Sequence, residues 1–119
     1  MTVLLLVRHS ELGLLRVHVL EEAGLNVIFP EHKHAAVHAI DQGGFDVILL
    51  SYSLPNEAAE ELIELARQKC PTCPVIAISD KGWDDRKLQP DDTVLASDGP
   101  QGMLEAINRT RRKGMRLIR

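Results

Sequence analysis

The stretch FDVILLSYSLP, residues 45–55, decides how this chain folds. Residues 45–50 form an apolar run broken only by Asp46, too short and too uniform for an amphipathic helix, and they end at Ser51 in a turn. Pro55-Asn56 then opens a helix, with Asn56 expected as its cap. A strand this apolar must be covered on both faces, which is the condition of a parallel sheet between two helical layers.

Four further runs repeat the pattern, at residues 3–7, 25–29, 75–78 and 93–96, and helix-like stretches separate them. Such alternation is the mark of an α/β sheet built from βα units. The first helix is expected over residues 11–23, capped by Ser10, with Leu12, Leu15, Val19 and Ala23 at helical spacing and Gly24 closing it. The second, about residues 32–42, turns Ala36, Val37, Ala39 and Ile40 inward and stops at Gly43-Gly44. In the third, Ala58, Ala59, Leu62, Leu65 and Ala66 make the core stripe, and Glu57, Glu60, Glu61, Glu64 and Arg67 face water. The last runs over about residues 101–113, buries Met103, Leu104 and Ile107, and ends at Gly114. Only residues 80–92, DKGWDDRKLQPDD, separate the fourth run from the fifth. That segment holds Gly82, Pro90 and five aspartates, so the fourth helix is expected to be shortened to at most two turns, around residues 84–88.

With 119 residues and 45% hydrophobic content, the chain suits one compact domain, residues 1–113, followed by a basic tail at 114–119. No apolar run approaches the roughly 18 residues of a membrane span, and MTVLLLVRHSELG has neither a basic leader nor a small-residue cleavage site. A cytoplasmic protein without membrane attachment is expected. The net charge is only −3, yet residues 108–119 carry six basic and no acidic side chains. A cationic helix end opposes the helix dipole favourably, and that reading outweighs contact with nucleic acid. Four aromatic residues in the whole chain leave little to stack on bases, so nucleic acid is not the expected partner.

Five strands in βα alternation resemble the flavodoxin-like doubly wound fold, with strand order 2-1-3-4-5. VLLLV, LEEAGLNV, FDVILLSYSLP and CPTCPVIAIS together resemble the receiver domain of two-component response regulators over nearly the whole chain. The resemblance implies a site at the carboxyl end of the sheet. There an acidic pair after the first strand and an Asp after the third hold magnesium, the Asp accepts a phosphoryl group, and a Ser/Thr after the fourth strand and a Lys after the fifth bind its oxygens. Phosphoryl transfer is mainly positioning and charge neutralisation, which is why those residue types are needed.

Carried onto this sequence, the acidic pair falls on Arg8 and His9, and the phospho-acceptor falls on Ser51. The lysine falls on Ala96 or Ser97, and only Ser79 keeps the type expected at its place. Serine is a weak acceptor and a weak magnesium ligand, and exchanging two carboxylates for Arg8 and His9 repels a dication. Magnesium binding and aspartyl-phosphate chemistry are therefore expected to be lost, leaving no catalytic residue, metal or cofactor. The remaining mouth is expected to hold Arg8, His9, Ser51, Ser53, Ser79 and Ser97, with Asp80 and Asp98 nearby. It is closed if Arg8 pairs with Asp80 or Asp98, and it is an anion site if guanidinium, hydroxyls and loop amides converge. Ser51, His9 and an aspartate also supply the parts of a hydrolytic triad, but no Gly-x-Ser-x-Gly elbow supports it.

Other motifs weigh less. Cys70-Pro-Thr-Cys73 follows a helix C-terminus, where the dipole does not favour thiolate, so the pair reads as incidental ahead of a labile disulfide or weak zinc binding. His32, His34 and His38, with Glu31 beside them, read as a solvated helix start rather than a metal site, and His18 as a surface or boundary residue. Trp83 either plugs the gap of the shortened helix or anchors a partner. The expected protein is a degenerate, phosphorylation-independent receiver-like module that is not an enzyme, is a monomer or weak homodimer, and binds an unidentified protein partner. The alternative is a small-anion sensor or minor enzyme using Arg8, His9 and Ser51.

Overall fold

The computed structural model describes residues 1–8, 10–52, 54–80 and 88–118, the side chains of 112–118 excepted. His9, Ser53, Trp83 and most of the expected fourth helix lie outside the described residues. The order of elements is β1 (Thr2–Leu6), α1 (Glu11–Glu22), β2 (Asn26–Ile28), α2 (Lys33–Gln42), β3 (Val47–Ser51), α3 (Asn56–Lys69), β4 (Val75–Ser79), β5 (Asp92–Leu95), a 3-10 turn (Ala96–Asp98) and α4 (Gly99–Ile118). The strands form one sheet, β2-β1-β3-β4-β5, parallel throughout. This is the expected flavodoxin-like topology.

Strand alternation divides the core in two. Leu4, Leu6, Ile48 and Leu50 face α2 and α3, where they meet Ala36, Ile40, Leu62 and Ala66. Val3, Leu5, Val47 and Leu49 face the other layer, packing with Leu20 of α1 and Met103 and Ile107 of α4. Both faces of β1 and β3 are thus buried, as their unbroken apolar runs require.

α1 starts where expected, with the Ser10 hydroxyl accepting from the Gly13 amide at 3.3 Å. Its inward face differs from the expectation. Gly13 and Leu20 are buried, Ala23 is exposed, and Leu12 and Leu15 are 49% and 55% exposed. The reason is contact distance: a β-carbon on Gly13 would lie 2.7 Å from Phe29 Cζ and 3.0 Å from the Arg8 carbonyl oxygen. Only a residue without a side chain lets α1 approach so closely, and this rotates the leucines outward.

Two helix ends also depart from the sequence reading. Pro55, not Asn56, occupies the cap position of α3, and no side chain caps it. α4 passes through Gly114 and continues to Ile118, across the expected boundary between domain and tail. A helical glycine costs only about 1 kcal/mol relative to alanine, which a 20-residue helix can absorb. α2 matches its expected span and ends at Gly43 and Gly44, both with positive φ, at 69° and 83°.

The Cys70 and Cys73 pair, read as incidental, forms a disulfide with its α-carbons 5.4 Å apart. The turn after α3 brings the two together: the Cys73 amide donates to the Cys70 carbonyl at 3.2 Å. Among the described residues no helix is long and apolar enough to cross a membrane.

Candidate functional site at the carboxyl edge of the sheet

Ser51 ends β3 and has no exposed surface. Because Val47 and Leu49 point to the α1 side, alternation sends Ser51 there too. It meets a residue that the sequence reading missed: Arg16 Nη1 of α1 donates to Ser51 Oγ at 3.3 Å. Arg16 is half-buried, and burial pushes its guanidinium below the ordinary value, with Tyr52 offsetting part of the shift. An arginine remains charged at neutral pH despite such a shift, so a permanent cation sits on the Ser51 hydroxyl. The missed signal was in the phase of α1. Once Gly13 and Leu20 are recognised as inward, Arg16 follows at i+3 and i−4 on the same face.

The other expected site residues are dispersed. Arg8 follows β1, is exposed, and lines a cavity on the α2 and α3 side of the sheet. Ser79 ends β4, and its hydroxyl donates to the Asp80 carbonyl at 3.5 Å. Ile76 and Ile78 belong to the α1 and α4 core, so alternation turns Ser79 to the opposite face from Ser51. Ala96 and Ser97 lie in the 3-10 turn after β5, the first half-buried and the second exposed. Asp98 Oδ2 accepts from the Leu95 amide at 3.2 Å and so closes its own turn. Asp80 is exposed.

This donor set does not fit magnesium, which binds hard, mostly anionic oxygens. The hydroxyl at the end of β3 carries a guanidinium, and Arg8 adds a second cation at the end of β1. Among the described residues no group of three His, Cys, Asp or Glu is placed to hold a metal ion. The histidines have local roles: His32 Nδ1 accepts from the Ala35 amide at 3.1 Å to cap α2, and His18 pairs with Glu22 at 3.1 Å. Ser51, which would have to supply the nucleophile of a triad, has no exposed surface and accepts a hydrogen bond from Arg16.

Comparison with solved structures gives this arrangement its context. The response regulator receiver domain protein (CheY-like) from Methanospirillum hungatei superposes with a TM-score of 0.81 at 18% identity, over 97% of this chain and 96% of that one. The fold is that of response regulator receivers. A receiver domain protein from Clostridium thermocellum gives 0.81 at 16% identity, with 98% of both chains covered. TrrA from Thermotoga maritima, solved in complex with Mg(2+)-BeF, gives 0.75 at 18% identity, over 92% of this chain and 97% of that one. No family model and no curated protein matches the sequence. The receiver likeness is one of fold.

Proposed function

We propose that this chain is a degenerate receiver, a regulatory protein-interaction module of two-component signalling that works in the cytoplasm without phosphorylation. The observation that carries the reading is the Arg16 guanidinium on the buried Ser51 hydroxyl, at the position that the receiver resemblance assigns to the phospho-acceptor. A serine oxygen attacks phosphorus only when a base takes its proton, and a guanidinium is no base near neutral pH. The same cation opposes the dication that TrrA binds with its beryllofluoride.

Incubation with acetyl phosphate, or with beryllofluoride, in the presence of magnesium should leave the intact mass and the amide spectrum unchanged. Stoichiometric modification at Ser51 would overturn the reading. The partner is proposed to be a protein, and the chain itself a monomer or weak homodimer. The alternative anion site, shared by Arg8, His9 and Ser51, is less well supported: Ser51 turns toward α1, whereas Arg8 lines a space on the other side of the sheet.

A further inference from the structure

Among the described residues, the large apolar side chains left in solvent are Met1 and four leucines, Leu12, Leu14, Leu15 and Leu95. Three of these leucines meet: Leu12 and Leu15 of α1 and Leu95 at the end of β5 line a groove of about 100 Å3 beside the start of α4. Val19 and Met103 carry its wall down into the core. Arg16 is the one charged residue among those that line it. No carboxylate meets that charge. Its hydrogen bond goes to the neutral Ser51 hydroxyl, and no Asp or Glu among the described residues offsets the burial of its guanidinium. A guanidinium carries several N–H donors in a planar fork, so one bond to Ser51 leaves donors for a second acceptor.

We propose that this groove docks an amphipathic helical segment of a partner protein, which sets a carboxylate side chain on Arg16 and aliphatic side chains among Leu12, Leu15 and Leu95. Magnitudes and charge select that occupant. A groove of about 100 Å3 is well below the roughly 300 Å3 at which small-molecule sites begin, yet it admits a side chain. Three leucines, each about half exposed, fall far short of the roughly 800 Å2 that each partner of a stable interface buries, so this face alone does not hold two copies of the chain together. A helix laid in a groove needs only a few anchors one turn apart, and the leucines supply them. The half-buried cation then chooses among helices: a carboxylate gains a charge-assisted bond in a partly desolvated setting, whereas a basic side chain is repelled there. The inference deepens the reading of the chain as a protein-interaction module and rests on it.

The test is selection against the intact chain from a library of random peptides of about 15 residues, roughly four helical turns, with the best binders then titrated into the chain and its variants. Enriched peptides should carry Asp or Glu beside aliphatic residues at helical spacing, and should shift the amides of residues 12–19 and 94–103. Arg16→Met should weaken them by about tenfold or more. Exchanging the peptide's acid for its amide should cost as much on the native chain and nothing on Arg16→Met, a comparison that on the peptide side needs no altered protein. Leu15→Glu should abolish binding, whereas Leu14→Glu, as exposed but outside the groove, should leave it unchanged. Enrichment of no peptide, binders that lack an acid, or equal losses in Leu14→Glu and Leu15→Glu would each overturn the proposal. So would self-association at about 0.1 mM that Leu15→Glu abolishes, which would assign the groove to a second copy. The acetyl phosphate experiment reads modification at Ser51 and the selection reads docking, so failure of one is told apart from failure of the other.

Discussion

At the scale of single residues, the feature that matters is the pairing of Ser51 with Arg16. Placing a carboxylate there by Ser51→Asp should therefore not create a magnesium site. The new carboxylate would accept from Arg16, 3.3 Å from the present hydroxyl, and the ion pair would compete with the dication. Removing the cation as well, with Arg16→Met to keep the packing of the stem, should make magnesium binding at least about tenfold tighter than in Ser51→Asp alone. Titration followed by amide shifts would measure both variants, and equal affinities would show that Arg16 is not the obstacle. Ser51→Ala takes an acceptor from a half-buried guanidinium that can still reach water. Its cost should be about 1 kcal/mol in denaturant unfolding, well below that of an orphaned buried charge. Legibility was uneven here: Ser51 stood out because a motif surrounds it, whereas Arg16 lies 35 positions earlier and no local pattern joined the two.

At the scale of elements, α1 shows how a helix can be found correctly and phased wrongly. Ser10 and Gly24 bracket it, but three of its leucines, Leu12, Leu14 and Leu15, are exposed, and the decisive residue is Gly13, which contributes no hydrophobicity at all. Helix propensity alone says that Gly13→Ala stabilises by about 1 kcal/mol. The contacts say the reverse, because the added carbon meets both the Phe29 ring and the backbone of Arg8 at 3.0 Å or less. Gly13→Ala should destabilise by about 1–3 kcal/mol. Leu20→Ala, at a fully buried position, should cost about 2–5 kcal/mol, while Leu15→Glu should change stability by no more than about 0.5 kcal/mol. Urea unfolding of the three variants checks the phase of the helix, and a Leu15→Glu cost matching that of Leu20→Ala would restore the phase expected from the leucines. The strands needed no such correction beyond one or two residues at their ends, since an apolar run buried on both faces has no phase to misjudge.

At the scale of the whole molecule, topology was legible because five apolar runs and the helices between them admit few arrangements, and right-handed crossovers reduce these to a sheet with β1 beside β3. The Cys70 and Cys73 link was not legible, since a cysteine pair at this spacing reads the same whether reduced, metal-bound or oxidised, and only the turn after α3 brings the sulfurs together. Its contribution follows from the loop it closes. Cross-linking residues three apart removes little freedom from the unfolded chain, about 2 kcal/mol in the chain-entropy account, against a fold whose sheet is assembled independently of the link. β4, which begins just after Cys73, is held by β3 on one side and β5 on the other, and the Asp91 carboxylate accepts from the Val75 amide at 2.7 Å. Reduction should therefore leave the far-UV circular dichroism unchanged while lowering Tm by about 5–10 °C. Cys70→Ser should reproduce the shift and make Tm insensitive to reductant. Loss of the circular dichroism signal on reduction would mean that the link supports the end of α3 and the entry to β4, a larger role than a loop of this length predicts.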